Sequence, residues 1–228
     1  MKKMKLQLKL FIRYSRDILK GNISRFAKKD LQKTNFDFKI EIRQEIKPSE
    51  TFENKVFNLG LAGYKVSDVV IFPNQLFSFW NSVGNPEIGF KKGRTIQNGV
   101  IKEDNAGGIC QVSGLVYYLS LLAGMDVVER YNHSVDIYNE ETRFAPLGAD
   151  ATVVYGYKDL RFINNHSSPI KFQITIDENY IIGRLLSKSE LVERNIRFEE
   201  IHNDNSIEVL TYDNNKPICT SFYKKLIL

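Results

Sequence analysis

Residues 105–124 read NAGGICQVSGLVYYLSLLAG, with Cys110 directly after Gly107-Gly108-Ile109. The run behind it spaces Val112, Leu115, Val116, Leu119 and Leu122/Ala123 for one buried helix face. Gly124 suits the position just past the end of that helix. The thiol therefore falls on a first helical turn. There the positive end of the helix dipole and unpaired N–H groups favour the thiolate. Gly107 and Gly108 let backbone come close to a substrate and leave N–H groups unobstructed, as an oxyanion hole requires. These residue types suit a nucleophile that attacks a carbonyl.

A nucleophile needs a base, and the base an orienter. The chain has three histidines: His166 in a turn, NNHSSP, His202 in a polar stretch, and His133 in RYNHSVDIY at the head of an expected strand. His133 is the candidate base. Asp150, in PLGADATVVYG, is the candidate orienter. Asp136 is three residues beyond His133 on the same strand and faces the other side. Other readings stay open. A lone Cys in an apolar helix often serves only as a small core residue. Cys219 is the other cysteine, so a single bridge is conceivable. Cys110, His133 and Asp150 are also zinc-ligand types, but no CxxC, HxxxH or HExxH accompanies them, and no metal or other cofactor is expected.

The elements that must position these groups indicate an α+β fold. N-terminal helices are followed by a Cys-bearing helix packed on an antiparallel sheet of short strands. Residues 36–47 alternate apolar and polar like a strand with one wet face, and 52–66 fit a helix despite two glycines. Val69–Phe72 reads as a buried strand. The Gly-rich stretch 85–99 reads as an extended surface loop. DVVER (126–130) and HSVDIY (133–138) are strand-like, and ATVVYG, LRFIN, IKFQITID and YIIGRLLS read as a meander of four strands. Three regions result: a basic amphipathic segment 1–35, a central domain 36–187, and an extension 188–228 read as a hairpin that lengthens the sheet or pairs with a partner.

Across its 228 residues the chain is 43% hydrophobic, so it is not a disordered segment. Its net charge of +5 is uneven: residues 1–30 hold ten Lys/Arg against two Asp/Glu, a local +8, which leaves −3 elsewhere. A near-neutral body argues against nucleic acid as partner. Lys5, Lys9, Arg13 and Arg16 interrupt every apolar run near the start, so neither a signal peptide nor a transmembrane helix is expected. The expected location is cytoplasmic, or peripheral at the inner face of the membrane, where residues 1–30 offer a contact.

The ordered set FSFWNSVG, NAGGICQVSGLVYYLSLLAGMDVVERYNHSVDIY and GADATVVYGYKDLRFINN resembles the VanW family. The likeness runs from about residue 52 to about 187 and includes GG-x-CQ-x-S, the isolated His, G-x-DA-T-V and D-L-R-F-x-N-N. Gly114 departs from a small polar residue often found after the motif Ser. The resemblance implies L,D-transpeptidation of peptidoglycan stem peptides, linked to glycopeptide resistance. It implies Cys110 as nucleophile, His133 as proton shuttle, and amides around Gly108 and Ile109 as the oxyanion hole. Gln111 and Ser113 would position the loop or the acyl group, and Arg130 and Arg161 would meet stem carboxylates. A non-catalytic module that holds a wall precursor or antibiotic is the competing expectation, and a structural partner docked on the membrane by residues 1–30 a third.

Overall fold

The computed structural model describes residues 2–29, 35–97, 100–136 and 143–225. Helix α1 (Lys2–Leu19) and the short α2 (Asn22–Arg25) lead into β1 (Lys28–Lys29). The inner stripe of α1 docks on the body: Leu6 and Leu10 pack over Gly156, where a Cβ would lie 2.9 Å from Leu6 Cδ1. Next come β2 (Phe38–Glu45), α3 (Phe52–Ser67), β3 (Val69–Ile71), β4 (Leu76–Ser78) and α4 (Phe79–Val83). Strand β4 ends after three residues. Ser78 stops the strand by accepting a hydrogen bond from Asn81 N–H at 3.1 Å, which caps α4.

Residues Lys92–Gln97 (β5) pair with Val100–Asn105 (β6) as a hairpin. The expected surface loop is thus half a β-hairpin, its Gly and Lys content masking the pairing. Residues 98 and 99 lie outside the described set. After α5 (Cys110–Leu122) follow β7 (Asp126–Glu129), β8 (Val135–Asp136), β9 (Arg161–Ile163), β10 (Ile170–Asp177) and β11 (Tyr180–Ser187). Three further strands close the chain: β12 (Ile196–His202), β13 (Ser206–Asp213) and β14 (Lys216–Lys225).

The main sheet has five antiparallel strands in the order β1-β3-β10-β11-β2. Helices α3 and α5 lie on one of its faces. Gly63 of α3 sits on Ile174, where a Cβ would be 2.8 Å from the side chain, and Gly183 of β11 faces Leu115 of α5, where a Cβ would be 2.7 Å from the side chain. Ile174 and Gly183 are cross-strand partners, so both helices reach the same face. The two glycines that interrupt the α3 pattern are compatible with a full helix, and one of them is required for this close approach.

Five expectations differ from the structure. Helix α5 is buried on nearly every side, including Gln111, Ser113, Gly114, Tyr117 and Ser120, not on a single face. ATVVYG is not a strand; its Val154 and Lys158 form only an isolated bridge. β9 does not join β10 and β11 in a meander but lies between β4 and β7 in a separate sheet. The C-terminal extension holds three strands, not a hairpin, and builds its own sheet with β8 added in parallel to β14. The expected strand after His133 reaches only Val135–Asp136; residues 137–142 lie outside the described set.

Candidate active site

The turn before α5 is set by glycine. A Cβ on Gly107 would fall 2.2 Å from the carbonyl of Gly93, so the β5–β6 hairpin rests directly on this turn. The buried Asn58 clamps the two together, donating to Lys91 O at 2.9 Å and Gly107 O at 3.0 Å and accepting from Lys91 N–H at 2.8 Å. Gly108 has φ +93°, which favours glycine, and faces the stem of Lys55. Ile109 N–H donates to Ala106 O at 3.3 Å. That amide is therefore committed, which leaves its two neighbours as the free donors of this region. The N–H groups of Gly108 and Cys110 have no acceptor among the described residues.

Cys110, His133 and Asp150 come together although three separate segments carry them. His133 Nδ1 lies 2.5 Å from Asp150 Oδ2, and His133 N–H donates to the same oxygen at 2.6 Å. Asp150 so occupies Nδ1, which leaves Nε2 for the Cys110 thiol, the other hydrogen-bond partner of the ring. Burial pushes the thiol pKa up, but the hydrogen bond and charge of His133 and the Val153 N–H outweigh it and hold Cys110 below its usual range. Burial alone would lower His133, yet Asp150 and the thiol raise it to about 10. The two shifts together favour a thiolate–imidazolium pair at neutral pH. Asp150 is desolvated, which would raise its pKa. The bonds from His133, Arg130 and Tyr223 hold it far below the usual carboxylate range instead. No group of three or more metal-ligand side chains with suitable geometry exists among the described residues. Both cysteines are free thiols, so the Cys110–Cys219 bridge is not formed.

A shell around Asp150 fixes the orienter. Arg130 Nη2 donates to Asp150 Oδ1 at 2.9 Å and to Gly148 O at 2.9 Å, while Nε reaches Asp150 O at 2.7 Å. The same guanidinium meets Ser221 Oγ at 2.5 Å and stacks 4.8 Å from the Tyr117 ring. Tyr223 O–H donates to Asp150 Oδ1 at 2.5 Å and accepts from Gly148 N–H at 3.1 Å. Arg130 thus holds the orienting carboxylate and is not turned to a substrate. Gly114 lies 3.5 Å by its virtual Cβ from Asp150 Cα, so a small residue is what lets this segment cross α5. Ser113 Oγ donates to Ala151 O at 2.6 Å and pins the crossing. Gln111 Nε2 donates to Glu45 O at 2.9 Å, tying the helix start to β2.

Arg161 is not at this site. Its guanidinium is buried and binds Asp17 at 2.6 and 2.9 Å and Asp159 at 2.8 Å, so its charge is neutralised where it docks α1. The expectation of a carboxylate-binding Arg161 is corrected on that ground. Four contributors escaped the sequence reading. Val153, Ser221 and Tyr223 carried no chemical pattern. Lys55 was hidden in a helix, where burial lowers its pKa to about 8 beside the Gly108 turn.

The chain is 32% identical over 140 residues to the vancomycin B-type resistance protein VanW of Enterococcus faecalis, covering 60% of this chain and 51% of that one. It is 35% identical over 120 residues to the uncharacterized protein YoaR of Bacillus subtilis, covering 52% of this chain and 38% of that one. It therefore spans about half or less of the length of these relatives. No solved structure matches. The family described as VanW like protein matches residues 54–186, which include Cys110, His133, Arg130 and Asp150 with the Gly107-Gly108 turn, so this chain belongs to the VanW family.

Proposed function

We propose that the protein is a cysteine acyltransferase of the L,D-transpeptidase kind acting on peptidoglycan stem peptides, in the setting of glycopeptide resistance that the enterococcal relative's name carries. The observation that supports it is the hydrogen-bonded Cys110–His133–Asp150 array with its thiol on the first turn of α5. The Cys110 thiolate attacks the carbonyl carbon that joins the third residue of a tetrapeptide stem to its terminal D-Ala. The oxyanion is received by the Gly108 and Cys110 N–H groups. Imidazolium His133 gives its proton to the departing D-Ala amine as the C–N bond breaks, leaving a thioester. An amine of a second stem then attacks the thioester, His133 takes its proton, and the thiolate is released with a new amide formed. Asp150 keeps the ring oriented and stabilises its charge throughout.

The test incubates the protein with a tetrapeptide stem and follows intact mass and free D-Ala. An acyl adduct at Cys110 with D-Ala release, both absent in Cys110→Ser, is the expected result. Stem binding that survives Cys110→Ala, with no adduct and no D-Ala, refutes the acyltransferase and leaves a binding module for wall precursors.

A further inference from the structure

The outer side of α1 carries a feature unrelated to the chemistry of Cys110. At 100° per residue, Met4, Leu8, Phe11 and Ile18 fall on one stripe. They are exposed by 72%, 59%, 66% and 55%, and Leu19 at the edge by 86%. The opposite stripe of Leu6, Leu10, Arg13 and Asp17 faces the body. Along one flank between the two run Lys5, Lys9, Arg16 and Lys20. None of these four pairs with a carboxylate among the described residues. Lys9 lies 4.5 Å from the Tyr157 ring. Lys9, Arg16 and Lys20 also line a cleft of about 290 Å³ between α1 and the body. The other cations of that cleft, Arg13 and Arg161, are neutralised by Glu129, Asp159 and Asp17.

An apolar stripe of this length facing water is unfavourable unless something covers it. The neighbouring row of unpaired cations specifies the cover: an apolar medium with a negatively charged rim, as at the boundary of an anionic bilayer. No described helix is long and apolar enough to cross a membrane, so this helix meets the surface. We propose that α1 lies in the plane of an anionic lipid surface. Its Met4–Leu8–Phe11–Ile18 stripe enters the acyl boundary, and Lys5, Lys9, Arg16 and Lys20 sit at phosphate level, where the cleft receives a lipid phosphate. Arg13 donates to Tyr157 O at 3.3 Å and Asp17 binds Arg161, so the docked helix stays tied to the segment that carries Asp150.

The experiment is co-sedimentation of the full chain with vesicles of phosphatidylcholine containing phosphatidylglycerol, against pure phosphatidylcholine. Binding to the anionic vesicles that falls as salt rises is expected. Arg16→Gln/Lys20→Gln lowers the partition by about 25-fold, at about five-fold per cation. Leu8→Gln/Phe11→Gln abolishes it. Both variants keep the Cys110 alkylation rate, which certifies the fold. Equal partition to both vesicle types, binding insensitive to salt, or unchanged binding by either variant overturns the proposal. So does a dimer in light scattering that Leu8→Gln/Phe11→Gln dissolves, since a second copy then covers the stripe.

Discussion

Replacing Tyr223 by Phe removes one oxygen and tests the shell around Asp150. The hydroxyl is buried; it donates to Asp150 Oδ1 and accepts from Gly148 N–H. Loss of a hydrogen bond to an ionised group, with a buried amide left unpaired, costs about 2–3 kcal/mol. For a chain of this size that lowers Tm by about 5–10 °C. The sign of the pH dependence follows from the carboxylate. Tyr223 stabilises ionised Asp150 and so helps to hold its folded pKa below the unfolded value. Its contribution is therefore fully present above about pH 4, the unfolded carboxylate range, and is lost as pH falls through the folded pKa. Urea titrations of wild type and Tyr223→Phe should show a gap at pH 7 that narrows below pH 4, by about the same reasoning. Arg130 and His133 still hold Asp150 ionised at neutral pH, so Cys110 keeps its fast alkylation there. Coincident titration curves at pH 7, or a gap that does not change with pH, would show that Tyr223 does not bear on the charge of Asp150.

Three further outcomes are expected. His133→Ala removes the bond and charge that outweigh burial, so the Cys110 pKa rises; its iodoacetamide rate at neutral pH should fall about tenfold per unit of that rise, read by peptide mass spectrometry against Cys219 as internal reference. Gly107→Ala forces a Cβ into the Gly93 backbone, and should cost about 2–3 kcal/mol in chemical denaturation and slow alkylation as the turn moves. Lys55 has a folded pKa near 8, below its ordinary value, so its own contribution to stability should rise as pH increases from 8 towards that value, against the opposite contribution of His133. In urea titrations the stability of wild type relative to Lys55→Met should therefore increase from pH 8 to pH 10; a difference that does not change with pH would mean that Lys55 is well solvated.

That Cys110, His133 and Asp150 form one cluster was legible because their residue types are scarce and each sits beside a local signal: a Gly-Gly turn before a helix, a histidine near a strand, an acid after a turn. The helix containing Cys110 was legible in position but not in burial. Its apolar spacing marks one buried face, yet Ser113 bonds Ala151 O and Gly114 accepts a crossing segment, so the small residues between serve a close contact. Arg130 and Arg161 look alike in sequence. What separates them is which carboxylates the fold brings near, a long-range fact: Asp150 for one, Asp17 for the other. The β5–β6 hairpin was missed because glycine and lysine weaken strand propensity, while Asn58 and Gly107 supply the docking that favours pairing.

The strand β14 has a consequence for how the protein is made. The span that matches the family ends at residue 186, but Ser221 and Tyr223 complete the cage around Asp150. A ribosome delivers the thiol and its histidine first and this clasp more than 80 residues later than either, counting from positions 110 and 133 to 223. A nascent chain that has emerged only as far as β11 therefore holds Cys110, His133 and Asp150 but lacks two of the contacts around that carboxylate. Synthesis must therefore reach β14 before Asp150 gains its full set of contacts.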